Sequence, residues 1–131
     1  MKKDYHLADQ PIPDGFQIYE ERLDVAGISN YKKAASKFIR GNSPSLLLAR
    51  EPTNKYDKNA IMIIGCYKGF MRTKKVHIGY VPKSVAKLMC EFGFQAFQPR
   101  LLKRYEGKSG FVEVLFQLLG PAGRKKLYES S

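Results

Sequence analysis

The chain has 131 residues, 44% of them hydrophobic, which suits one domain with a real core and excludes wholesale disorder. Lys and Arg number 23 against 12 Asp and Glu, a net charge of +11, and the pI is about 9.7. Such an excess favours a polyanionic ligand, nucleic acid first, with an acidic protein or a lipid surface as the alternatives. Cys66 and Cys90 fit no C-x-x-C pair and the two histidines no His-x₃₋₅-His spacing, so no zinc site is expected. Both cysteines lie in apolar contexts and read as buried thiols, with a disulfide as the alternative; a reducing, cytoplasmic compartment follows. No secretory leader and no apolar run of membrane-spanning length is present, so no membrane association is expected.

Residues 1–15 are polar and contain Pro11, Pro13 and Gly15, which predicts an extended N-terminal arm. A first strand is expected within 16–28, ending near Gly27. Tyr31, Ala34, Ala35, Phe38 and Ile39 fall at helical spacing over 31–40, with Ser29 or Asn30 as N-cap and Gly41 as stop. Strands are then expected at 45–50 and 59–66, joined by a turn at 51–57 whose breakers are Pro52, Asn54 and Asp57. A basic hairpin loop at 68–75 leads to a strand at 76–81. Pro82 suits the first helical position, Val85, Leu88, Met89 and Phe92 supply the apolar stripe, and Gly93 ends the helix. Residues 96–105 and 111–119 form two more strands around a turn at 106–110. The basic tail, 121–131, is expected to fray, with Leu127 and Tyr128 available to dock back. About six strands and two short helices make the chain mainly β, an OB-like, partly open six-stranded barrel over 16–120.

Three groups of residues carry chemistry. In the turn, Asp57 can accept a hydrogen bond from a ligand hydroxyl, Asn54 can donate or accept beside it, and Tyr56 can offer its ring to a base. Asn54 and Asn59 equally suit backbone caps, and Asn59 is read as one. At the strand-to-helix step, the free N–H groups of a helix start favour a phosphate, and Lys83 can complete that site. A cation is otherwise misplaced there, which marks Lys83 as a ligand group. Tyr80 either stacks on a ligand or covers the barrel rim. The hairpin cations Lys68, Arg72, Lys74 and Lys75, with Arg100, Lys103, Arg104 and Lys108, can form a basic rim interleaved with Tyr67, Phe70 and Tyr105. The helix cations Lys32, Lys33, Lys37 and Arg40 read as solvated surface. His6 and His77 are isolated, and His77 reads as structural. There is no nucleophile elbow, phosphate-binding loop, paired-carboxylate site or metal cluster, so the expectation is a binding module without cofactor or metal, not an enzyme.

The segments VAGISNY (25–31), LLLAREPTNKYDKNAI (46–61) and HIGYVPKSVAKL (77–88) resemble the HIRAN domain, whose pattern runs V-x-G, then R-[DE]-P-x-N-x-[YH]-D-x-N-A-[IV], then I-G-[YH]-[LV]-[PK] and a helix. The likeness spans roughly residues 23–120. It implies an OB-like barrel with two helices, found both alone and fused to helicase-like or nuclease domains, which makes such proteins candidate partners. In fork-remodelling ATPases the domain binds single-stranded DNA at its 3′ end, which implies DNA repair or replication-related processing. By the same resemblance Tyr56 would stack on a terminal base, Asp57 would read the 3′-hydroxyl and Asn54 would support the loop. Tyr80 stands where His is frequent, Lys83 would meet a phosphate, and Phe116 would line the pocket. This chain departs after Gly27, where Ile28, Ser29, Asn30 and Tyr31 replace a basic residue and an aromatic; Tyr31 is then the displaced aromatic. Two other functions remain open, an adaptor whose groove takes an acidic peptide and a nuclease accessory. Oligomeric state is open as well.

Overall fold

A computed structural model describes residues 5–130. Residues 1–4 of the expected arm, Ser131 of the expected tail and the side chain of His6 lie outside the described part. The chain runs β1 (Tyr5–Leu7), β2 (Phe16–Asp24), α1 (Lys32–Arg40), β3 (Asn42–Arg50), β4 (Ile61–Lys68), β5 (Thr73–Tyr80), α2 (Lys83–Phe92), β6 (Gln98–Glu106), β7 (Val112–Pro121) and α3 (Lys125–Glu129). The six expected strands are present, and β1 adds a seventh within the expected arm. It pairs with β6 from Tyr5 opposite Tyr105 to Leu7 opposite Lys103.

All pairings are antiparallel and form two sheets, ordered β1-β6-β7-β2 and β3-β4-β5. A backbone bridge between Ala26 and Tyr80 ties the end of the first sheet to the edge of the second. On the other side β3 lies against β6 without a ladder, so the barrel stays partly open. At that seam Arg104 donates to the carbonyls of Phe38 (2.9 Å) and Gly41 (2.8 Å), and Gln10 donates to that of Pro44 (3.0 Å).

The core follows from alternation. Ile61, Ile63 and Tyr67 of β4 point inward, as do Val112, Val114, Phe116 and Leu118 of β7. Helix α1 closes the barrel with Ala35, Phe38 and Ile39, all buried. Phe38 packs so tightly on β4 that a Cβ at position 65 would sit 2.6 Å from its ring, which explains Gly65. Helix α2 buries Val85, Ala86 and Met89.

Three expectations about helix ends need correction. Neither Ser29 nor Asn30 caps α1; Ile28–Tyr31 forms a turn of 3₁₀ helix entered from Gly27 at φ 70°, and α1 starts only at Lys32. Pro82 is the N-cap of α2, at ψ 138°, so Lys83 takes the first helical position. The tail does not simply fray: α3 docks Tyr128 at 1% exposure, where its hydroxyl donates to Glu20 (2.6 Å). Its ring joins Tyr19, Phe92 and Phe97 at centroid distances of 5.1–6.4 Å. Burial first, and the Glu20 bond second, push this phenol well above its ordinary pKa. Leu127 remains exposed. Cys66 is a buried free thiol and Cys90 a half-buried one.

Candidate functional site

The loop between β3 and β4 is built by its own polar side chains. Its base closes through the Glu51 N–H and the Ala60 carbonyl (2.9 Å). The Asn54 amide oxygen accepts from the backbone N–H groups of Tyr56 (2.9 Å) and Asp57 (3.0 Å), and Asp57 Oδ1 accepts from that of Asn59 (2.9 Å). Such Asx bonds hold a turn in one shape. Asn54 is therefore a scaffold residue, with its carbonyl and amide both spent inside the protein. Tyr56, freed from packing, stands at the tip with 91% of its surface exposed.

Strands β4 and β5 form a hairpin, so the start of β4 and the end of β5 return to the same place. That return brings the loop beside the start of α2. An open cleft of about 520 Å³ lies between them, lined by Asp57, Asn59, Lys83, Ser84 and Lys87. Pro82 offers no side-chain cap to the helix, so the first-turn N–H groups receive no hydrogen bond from one. With two ammonium groups one turn apart, the wall formed by α2 suits an anion. Asp57 faces that wall from the loop with a carboxylate that can accept from a donor. Asn59, expected only as a cap, lines the cleft.

A second cluster is joined to the loop through Glu51. Tyr80, Tyr31 and His77 pack together, with centroids 4.4 Å apart for Tyr31–His77, 4.9 Å for His77–Tyr80 and 6.4 Å for Tyr31–Tyr80. His77 is anchored by a 2.9 Å hydrogen bond between Nε2 and the Gly79 carbonyl oxygen. The Tyr80 hydroxyl donates to Glu51 Oε1 (2.8 Å), and the Asn54 amide donates to the same oxygen (2.7 Å). Burial, then hydrogen bonds with Tyr31 and Glu51, push the Tyr80 phenol well above its ordinary pKa, so it stays neutral. The two donors in turn hold Glu51 below the usual carboxylate range. Glu51 thus joins the rings to the loop through Asn54. It lies inside the R-E-P segment, but nothing local shows that its partner is twenty-nine residues away.

Position 79 explains why the rings come so close. Gly79 sits at φ 151°, and a Cβ there would meet the Ala26 carbonyl oxygen at 2.6 Å. Only a residue without Cβ lets β5 approach Ala26, whose N–H and carbonyl both bond the backbone of Tyr80 (2.7 and 2.9 Å). Tyr31 follows that bridge by five residues and is delivered onto His77.

Two expected sites are not as the sequence implied. Phe116 is fully buried in the core. It lies on the inward face of β7, between β2 and β6, and lines no cleft. The cations of the expected basic rim differ in how far the fold engages them. Lys68, Arg72, Lys74 and Lys75 are exposed on the β4–β5 hairpin, at the end of those strands away from the cleft. Arg100, Lys103 and Arg104 are held within the first sheet and its seam: Arg100 donates to Gln117 (2.7 Å) and to the Gln10 carbonyl, and Lys103 pairs with Glu113 (3.1 Å). Burial lowers the pKa of Arg104. On α1, Lys32, Lys33, Lys37 and Arg40 are exposed, with Arg40 paired to Glu106 at 2.9 Å.

Among the described residues no cluster of His, Cys, Asp and Glu could hold a metal ion, and no helix is long and apolar enough to cross a membrane. The family model for the HIRAN domain matches residues 19–96, more than half of the chain. That span includes the loop, the cleft and the ring cluster. Curated proteins and solved structures give no significant match.

Proposed function

The chain belongs to the HIRAN domain family, and from that membership we propose that it binds single-stranded DNA at a free 3′ end. HIRAN domains are in general nucleic-acid-binding modules; the end preference is the further step. One observation carries it: Asp57 and Lys83, twenty-six positions apart in sequence, line the same open cleft. A terminal nucleotide presents a hydroxyl donor and a phosphate at its two sides. Asp57 accepts from the hydroxyl, and Lys83 with the start of α2 takes the phosphate. Exposed Tyr56 supplies a ring for the last base, and Tyr80 with Tyr31 forms a fixed platform for its neighbour. Repair or replication-related processing, alongside helicase or nuclease proteins, is the setting this activity serves.

Asp57→Asn is the sharpest test, because an amide oxygen preserves the turn bond to Asn59 while the charge is removed. Fluorescence anisotropy compares strands ending in a 3′-hydroxyl and a 3′-phosphate. The native protein should prefer the hydroxyl, since a terminal phosphate meets the carboxylate. The variant should lose most of that preference. An equal change on both strands, or no preference in the native protein, removes the end-reading role. An acidic peptide that displaces neither strand argues against the adaptor function.

A further inference from the structure

The β4–β5 hairpin turn closes through the Gly69 N–H and the Arg72 carbonyl (2.9 Å). It lifts Phe70 and Met71 into solvent at 96% and 83% exposure. These two side chains bury nothing in the fold, and an unpartnered large apolar pair at a turn tip marks a contact surface. Their neighbours say what kind. Lys68, Arg72, Lys74 and Lys75 surround them, all exposed, and the sequence holds no Asp or Glu from Lys58 to Cys90. A partner that meets dense cations and bare apolar side chains at one spot needs negative charge and flat apolar faces at alternating intervals. Nucleic acid has both, phosphates between stackable bases.

The outer face of β5 joins this tip to the ring cluster of Tyr31, His77 and Tyr80. The His77 ring lies 4.9 Å from Tyr80, and Lys75, two residues before His77, shares its face. Eight residues of β5 span about 25 Å. At the stacked rise of about 3.4 Å per nucleotide this equals roughly seven nucleotides, fewer for an extended strand. That falls within the roughly 4–16 nucleotides that one OB-type barrel covers.

We propose that the hairpin tip is a second nucleic-acid contact, where Phe70 and Met71 stack on a base of the strand whose end sits in the cleft. Lys68, Arg72, Lys74 and Lys75 take the adjoining phosphates. The separation from the cleft rests on the end-binding reading above; the contact at the tip does not.

The test uses the full chain and 3′-hydroxyl strands of about three and about twelve nucleotides, one too short to reach the tip and one long enough. Phe70→Ala with Met71→Ala should leave the short strand's Kd unchanged and weaken the long strand roughly 5- to 150-fold, the range for one lost base stack. Phe70→Tyr keeps the ring and should retain the long-strand affinity. Equal Kd for native protein and double variant on the long strand overturns the proposal. So does an equal loss on both strands, or a double variant that loses binding to phosphatidylserine vesicles while binding DNA normally, which assigns the tip to a lipid surface. The arms separate from the end-binding test: if Asp57→Asn leaves the end preference untouched but the double variant still weakens the long strand, the tip contact stands and the end reading falls.

Discussion

Replacing Lys83 removes one of the two ammonium groups on the α2 wall of the cleft. If Lys83 meets a phosphate, the loss appears in the salt dependence of binding, because each neutralised phosphate of a single strand contributes about 0.7 to the slope of log K against log salt. Lys83→Ala should therefore flatten the slope by about 0.7, and Lys83→Ala with Lys87→Ala by about 1.4. Between about 50 and 200 mM salt, a slope change of 0.7 alters the loss of affinity by about 2.6-fold and 1.4 by about 7-fold. Anisotropy titrations at four or more salt concentrations resolve both figures. Lys83→Arg keeps the charge and should keep the slope. The opposite pattern, weaker binding by Lys83→Ala at every salt concentration with the slope intact, would mean that the side chain shapes the helix start and touches no phosphate. A fall of 1.4 for Lys87→Ala alone would equally contradict a shared wall.

Two further outcomes follow from the scaffold behind the cleft. Gly79→Ala pushes a methyl group against the Ala26 carbonyl and Val25, which strains the Ala26–Tyr80 backbone pair; it should cost about 2–4 kcal/mol from overpacking and weakened hydrogen bonds and lower Tm by roughly 10 °C. Gly93→Ala, also at positive φ but with no atom within 4 Å of the new methyl, should cost less, and equal losses in thermal denaturation would refute the close-approach argument. The second concerns Glu51, whose folded pKa lies below its ordinary 4.5 because of the bonds from Asn54 and Tyr80. Folding therefore releases protons from this carboxyl, so its stabilising contribution is present above pH 4.5 and is lost as pH falls through the lowered folded value. Urea denaturation of native protein and Glu51→Gln should differ at pH 7 and converge in acid; a gap that widens in acid would reverse the sign.

How much of this was legible depends on whether a residue's partner is local. The β4 run and the α2 stripe are written in local periodicity, and both elements form. The meeting of Asp57 and Lys83 was legible too, because a hairpin between 61 and 80 returns its two ends together. Phe116 was misplaced by the family likeness, although its own strand held the signal: Val112, Val114, Phe116 and Leu118 alternate toward the core. Arg100 and Arg104 were illegible as structural residues, since apart from Gln117, the cross-strand neighbour of Arg100, their acceptors Gln10, Phe38 and Gly41 come from distant elements. Strand β1 has three residues and exists only as an addition to β6. Helix α3 has five and is held by Tyr128, so neither has a period to read. The sequence named Tyr31 as the displaced aromatic, and its ring lies on His77, but the route through Gly27 and the Ala26 bridge needed the fold.

The pairing of β2 with β7 sets Phe16 opposite Pro121, and the Ala122 N–H bonds the Gly15 carbonyl at 2.9 Å. Entry to the barrel and exit from it are thus adjacent. A host protein can carry the segment from β2 to β7 within one surface loop without prising its own framework apart. By the same geometry a short linker can join positions 15 and 122, and a new opening cut in the turn at 107–110 would give a circular permutant of that segment with the loop, cleft and ring cluster intact.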